Sequence, residues 1–343
     1  MPSRMPNVAR NQTLAPLHAE VERAWVDGQF VPRSGLGLPL TDAGFVLGAA
    51  VAEQLRTFRG ELFLPAEHGR RLVEGLSIVQ VDPPVPVEDL LAAAAEVARH
   101  NWRLGPSFSD LGVSIVVTPG DLAAQSHGRP RIEACPGRSR AMIHSFPLAF
   151  ESWVSGYAHG IRLVTVSVRQ VPEECWPSRL KCRSRMHYHL AESEAHRLDP
   201  GARPLVCHGD GRVSETPTAN VVVVTGRRLL TPPESDALPG ISLRFLWRLA
   251  ESEGLECEER SMRVSDCLHA DEVLLTSTPS CLLPATSIDG SAIGDGHPGP
   301  IFLRLLAAWE RSCGVDIREQ AREASGTSRE PTQDREKVDE QNH

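Results

Sequence analysis

The apolar residues of this chain come in short, strand-length runs set between turn residues, with only a few stretches long enough for a helix. AWVDGQFVP (24–32) reads as a hairpin turning at Asp27-Gly28, a pair that accepts the positive φ of a two-residue turn. Residues 46–58 end in a strand that carries Arg56, and Arg59-Gly60 turns that strand into ELFLP. LGVSIVVTPG (111–120) reads as a buried strand, and IRLVTVSV (161–168), NVVVV and ADEVLLTST follow as further strands. Helices are expected at 87–102, where acids follow Pro86, from about Lys181 to Arg197, and over ISLRFLWRLAESEG, stopped by Gly254. The pattern predicts an α/β fold (α+β, two domains). A loose arm spans 1–20, a small N-terminal α/β domain 21–145, a linker 146–158, a larger domain 159–315 and a disordered polar tail 316–343.

Composition narrows the function classes. With 343 residues, 41% hydrophobic and 23% charged, the chain has the profile of a soluble globular protein large enough for two cores. A formal charge of −8 leaves no basic field for a nucleic-acid backbone. No run approaches the roughly 18 apolar residues of a membrane span, and the first residues do not read as a signal peptide. The eight cysteines form no CxxC pair, so reduced thiols in a cytoplasmic protein are expected. Cys207-His208 and His187-Tyr188-His189 are too isolated to predict a metal site, and no metal is expected.

Positive charge is written almost entirely as arginine. Only Lys181 and Lys337 are lysines, and Lys337 lies in the polar tail. A guanidinium cannot shed its proton near neutral pH, whereas a desolvated amine can do so and attack a carbonyl. Lys181 is therefore the candidate Schiff-base residue, and an imine with pyridoxal phosphate would set further needs on the residues around it.

A pyridine ring acting as an electron sink works best with its nitrogen protonated against a carboxylate. Glu215, in GRVSETPTANVVVV just past a turn, is the candidate. The phosphate needs donors. Gly240, Ile241 and Ser242 supply amides and a hydroxyl at a helix start, Ser277 and Thr278 supply a second cluster, and Arg56 could supply charge.

The order of these segments resembles the class IV, fold-type IV pyridoxal-phosphate enzymes. That group comprises branched-chain aminotransferases, D-amino-acid aminotransferases and aminodeoxychorismate lyases. The resemblance covers roughly Ala24 to Cys313. It runs through WVDGQFVP…LPLTDAGFVLGAAVAEQLRTFRGELFLPAEHGRRL, LKCRSRMHYHLAESEA, GRVSETPTANVVVV, TPPESDALPGIS and ADEVLLTSTPSCLLPATSIDG. It implies a small N-terminal domain and a larger pseudobarrel domain. It also implies Lys181 as the Schiff-base lysine, Glu215 on the pyridine nitrogen, and a phosphate contact at Arg56.

Departures from the family pattern concern the substrate. The tyrosine five residues after the lysine in branched-chain enzymes is Met186 here, and Tyr188 would face another way on a helix. The carboxylate-reading Tyr-x-Arg element falls on Gly112-Val113-Ser114, and Arg129 and Arg185 are the remaining substrate-binding candidates. The leading expectation is an aminotransferase acting on an amino acid, branched-chain among the options, and a 2-oxo acid. A lyase-like β-elimination and a catalytically silent binding protein are the alternatives. The resemblance also implies a homodimer with active sites near the interface, and in such a dimer loop residues around Gly112–Arg129 of one subunit could close the pocket of the other.

Overall fold

The computed structural model describes residues 21–106, 109–122 and 139–326. The first sheet is antiparallel and contains β1 (Arg23–Val26), β2 (Gln29–Pro32), β3 (Val51–Phe58), β4 (Glu61–Leu62), β5 (Leu111–Thr118) and β6 (Arg140–Pro147). Its order is β2-β1-β6-β5-β3-β4. The β1–β2 turn places Asp27 at φ 46° and Gly28 at φ 98°, the left-handed pair that matches strand twist. The Asp27 carboxylate also accepts from the Ala141 amide (2.8 Å) and from Arg140 Nε (3.0 Å), tying the hairpin to β6.

Among the described residues, three α-helices belong to this half: α1 (Ala43–Val46), α2 (Pro65–Val79) and α3 (Val87–Trp102). Leu72 and Leu76 of α2 and Leu90, Ala94 and Val97 of α3 pack on Leu55, Val113, Ile115 and Ile143. Because strand side chains alternate, the even-numbered residues Ala52, Gln54, Ser114 and His144 fall on the opposite face. Helix α2 is not apparent in the sequence reading. Its buried face mixes His68, Gly69 and Arg71 with Leu72 and Leu76, which breaks the apolar stripe by which a helix is recognised.

Residues 146–158, expected as a linker, are mostly helix α4 (Phe150–His159). Phe150, Trp153 and Tyr157 lie three and four residues apart and bury one face in the second core. The second half then runs through β7 (Ile161–Arg169), α5 (Met186–Leu198), β8 (Arg203–Cys207), β9 (Asn220–Thr225), β10 (Arg228–Thr231), α6 (Ile241–Ser252), β11 (Glu256–Glu259), α7 (Val264–Leu268), β12 (Glu272–Ser277), β13 (Cys281–Ile288), β14 (Ser291–Ala292), α8 (Pro300–Cys313) and α9 (Ile317–Ala324). The sheet order is β11-β10-β9-β12-β13-β7-β8, with β14 on β13. Val221–Val224 are buried on both faces, which explains why β9 is an unbroken valine run. No helix among the described residues is long and apolar enough to cross a membrane.

The polar stretch from 316, expected to be disordered, is structured as far as 326. The Asp316 carboxylate caps α9 by accepting from the Glu319 amide (2.8 Å), and Ile317, Gln320 and Ala321 are buried. A helix with so narrow an apolar face is held by tertiary contacts, which composition does not reveal.

Candidate active site

A cavity of about 390 Å³ lies between the two sheets, and Lys181 is on its wall. The lysine belongs to the second half of the chain, yet its backbone is pinned to the first sheet. The Ala52 amide donates to the Lys181 carbonyl and the Arg183 amide to the Ala50 carbonyl, both at 2.9 Å. Strand β3 thus holds the segment that carries the amine.

Burial lowers the Lys181 pKa first, and Arg71 adds to the effect. Glu53 opposes them, Arg185 and Arg183 lower it further, and the result is a value of about 8. Behind the lysine, Glu53 accepts from Arg71 Nε (2.8 Å) and Nη2 (2.9 Å), and His68 Nδ1 lies 2.6 Å from it. Burial alone would raise the Glu53 carboxyl, but the Arg71 guanidinium and these bonds outweigh it and hold the group well below the usual range. Burial pushes the His68 ring down against the pull of Glu53. The ring is then neutral and donates from Nδ1, and its buried Nε2 has no partner among the described residues.

Glu215 is also on the wall, 8% exposed, just before β9. Its carboxylate accepts from Tyr188 Oη (2.5 Å), Asn220 Nδ2 (3.2 Å) and, more weakly, the Leu238 amide (3.4 Å). Burial raises its pKa while the Tyr188 bond and the Lys181 charge work against that rise. Met186 is 69% exposed. Two helical residues apart means opposite faces, so it is Tyr188 that enters the cavity, contrary to expectation.

Gly240, Ile241, Ser242, Ser277 and Thr278 meet at the far end. The β9–β12 register sets Asn220 opposite Thr276, so the Glu215 turn and the 276–278 hydroxyls share one end of the sheet. Gly240 caps α6 without a side-chain bond, leaving first-turn amides free for an anion. Ser242 Oγ lies 3.4 Å from Thr278 Oγ1. A Cβ on Gly240 would come within 2.0 Å of Asn220 Oδ1, so this approach requires glycine.

Arg56 is not on the cavity wall, which corrects the sequence expectation. It is fully buried and donates to the Pro279 carbonyl (2.8 Å), Cys281 Sγ (3.1 Å) and Gln320 Oε1 (2.9 Å). Its neighbours hold it inside the fold, behind the 276–281 turn. The cavity-lining arginine at this end is Arg71, bonded to the Pro239 carbonyl (3.2 Å) next to the α6 start. Its signal in the sequence was a polar residue three positions after His68, on the buried face of a helix. Arg185 lines the cavity as well, with its guanidinium 4.5 Å over the Tyr188 ring and a hydrogen bond to the Pro217 carbonyl. Arg129 lies outside the described residues.

These residues suit pyridoxal phosphate. An amine with a lowered pKa, a carboxylate fixed by three donors, and a free helix N-terminus beside hydroxyls and Arg71 correspond to its carbonyl, ring nitrogen and phosphate.

The chain resembles known proteins over most of its length. It is 26% identical over 291 residues to a D-alanine aminotransferase of Staphylococcus haemolyticus, covering 84% of this chain and 97% of that one. It is 28% identical over 289 residues to branched-chain-amino-acid aminotransferase-like protein 2 of Arabidopsis thaliana, covering 84% of this chain and 50% of that protein. The fold is shared with branched-chain aminotransferases of Escherichia coli (TM-score 0.76, 21% identity, 91% and 98% of the two chains) and of Thermobaculum terrenum in its PLP form (TM-score 0.73, 24% identity, 88% and 96%). The amino-transferase class IV family model matches residues 50–288, the span that contains both halves of the cavity, and the chain belongs to that family.

Proposed function

We propose that this cavity transfers an amino group between an amino acid and a 2-oxo acid, with pyridoxal phosphate held by Lys181. When bound, the cofactor supplies a carbonyl for the amine and an electron sink for the electrons released at the substrate's α-carbon. Lys181 then holds and returns a proton at Nζ, and a pKa of about 8 suits it to do both near neutral pH. Glu215 presents its carboxylate to the ring nitrogen, and Tyr188 and Asn220 keep that carboxylate in place. The α6 start with Ser242, Thr278 and Arg71 would anchor the phosphate.

The observation that carries this reading is the joining of Lys181 and Glu215, from segments 34 residues apart, in a single cavity with a free helix N-terminus. Lys181→Ala is expected to abolish amino transfer while leaving the fold intact. Turnover of amino acid and 2-oxo acid pairs by that variant at the wild-type rate would end the proposal. The relatives and neighbours above are aminotransferases by name, so they lend the lyase outcome no support.

The expected assembly is a homodimer. Leu40 (73% exposed), Phe45 (62%) and Leu47 (50%), in and next to α1, are exposed apolar side chains that a second copy would cover. The seven described cysteines are all free, in keeping with the proposed cytoplasmic location.

A further inference from the structure

We infer that His68 is a positioning residue for the phosphate end of the cavity: it fixes Glu53, and Glu53 aims Arg71 at a phosphate beside the α6 start. This inference rests on the aminotransferase reading, with pyridoxal phosphate as the cofactor.

His68 and Arg71 stand three residues apart on the buried face of α2. Glu53 meets them from β3, where alternation puts it on the same face as Val51 and Leu55, the face that α2 covers. A Cβ on Gly75 would come within 2.9 Å of Val51 Cγ1, so glycine lets α2 lie close enough to β3 for these side chains to meet. His68 is fully buried, and Glu53 and Arg71 are nearly so.

The bonds divide the work. Arg71 spans both carboxylate oxygens, with Nε on Oε1 and Nη2 on Oε2, while Nη1 donates to the Pro239 carbonyl. A guanidinium has five N–H groups, so among the described residues these three bonds leave one on each Nη for a ligand. His68 Nδ1 lies 2.6 Å from Glu53 Oε2, the oxygen that Arg71 Nη2 also uses. A carboxylate and a guanidinium joined only to each other can swing as one plane. A further donor from a ring one helical turn away removes that freedom, and the direction of the spare N–H groups follows from it.

The ring supplies this bond without charge. Burial lowers its pKa, Glu53 opposes the fall, and the Arg71 and Lys181 charges add to it. A lysine or arginine at this position would compete with Arg71 for Glu53 and set a further cation beside Lys181. The ring's other nitrogen, Nε2, has no partner among the described residues, so its bond to Glu53 is the polar contact the ring makes. Apolar side chains would fill the space under α2 without the desolvation cost of buried charge, so packing alone does not account for the cluster.

The test compares pyridoxal phosphate with pyridoxal, which has the same carbonyl and ring but no phosphate. Each is titrated into the cofactor-free protein and followed by the absorbance that depends on Lys181. The ratio of the two dissociation constants isolates the part of binding due to the phosphate. His68→Leu and His68→Phe remove the donor, one with a smaller side chain and one with a ring, and each should lower that ratio by about tenfold, the scale of one charge-assisted hydrogen bond. His68→Asn, whose amide nitrogen takes the place of Nδ1, should stay within about threefold of the wild type. An unchanged ratio in a folded variant without the donor, with both compounds weakened alike, would mean that His68 acts by packing and would overturn the inference. So would a His68→Asn ratio as low as that of His68→Leu. Failure of the aminotransferase reading would look different: the wild type would take up neither compound through Lys181.

Discussion

Tyr188 donates a 2.5 Å hydrogen bond to Glu215, joining the first turn of α5 to the strand edge that presents the buried carboxylate. Gln170 Nε2 in turn donates to Tyr188 Oη at 2.9 Å, which orients the phenol. The direction of the carboxylate is therefore fixed by its neighbours. Burial raises the Glu215 pKa and the Tyr188 bond opposes that rise, so the phenol helps keep the group ionised.

Tyr188→Phe should consequently move the acid limb of activity to higher pH. Without the bond the Glu215 pKa rises further, and a larger fraction is protonated at any given acidic pH. The rate at the optimum should fall by about tenfold, in keeping with the loss of a charge-assisted hydrogen bond. A pH profile of kcat/KM whose acid limb stays in place would show that Tyr188 does not tune Glu215.

Capture of the cofactor by the apoprotein should accelerate with pH through about 8, where the Lys181 amine loses its proton. The neutral fraction, and with it the association rate, should grow by about tenfold between pH 7 and 9. Stopped-flow absorbance with added pyridoxal phosphate measures this directly. A rate that instead climbs about a hundredfold over that interval and keeps climbing to about pH 10 would mean an ordinary, solvated lysine.

Glu53→Gln should destabilise the protein by about 3–5 kcal/mol, because Arg71 is left buried without its anion. Linkage sets the pH window. The Glu53 carboxyl is held well below its ordinary value, so its contribution is complete above the unfolded pKa of about 4.3 and is lost only as pH falls toward the folded value. Thermal denaturation at pH 7 should show the full loss. The same variant should lower the Lys181 pKa further, since Glu53 is the group that raises it.

Arg56→Met and Gln320→Ala should act on the same structure and so be non-additive. Arg56 bonds Gln320 Oε1 at 2.9 Å, and Gln320 Nε2 donates to Asp110 Oδ2 at 2.7 Å, which links β3, α9 and the start of β5. Either change should expose the α9 segment to limited proteolysis, and the double variant should be little worse than the more severe single one. Independent, summed effects in denaturant titrations would argue against a shared network.

Gly240→Ala should reduce cofactor affinity as well as stability. The added methyl would collide with Asn220 Oδ1, and Asn220 also binds Glu215 and the Leu238 carbonyl, so relief of the clash shifts both ends of the cavity. Overpacking of this kind costs about 1–3 kcal/mol. Cofactor titration beside a denaturant midpoint separates the two effects.

The sequence by itself determined the identities that chemistry restricts. A single lysine among the described residues, a glutamate before a valine strand and a Pro-Gly helix start are local signals, because each follows from one residue type or one turn. Tertiary structure decided which arginines face the cavity. Neither Arg56 nor Arg71 carries a local sign of its direction, yet one is enclosed by Pro279, Cys281 and Gln320 and the other is aimed by Glu53 beside α6. The same holds for Tyr188, whose inward orientation depends on how α5 is rotated against β7 and β8. Helix α9 was hidden for a related reason: its order comes from contacts made by Gln320, more than 200 residues away from Arg56 and Asp110. Periodicity and residue type are properties of neighbours along the chain, whereas the direction of a buried polar side chain is set by partners that only the fold brings within reach.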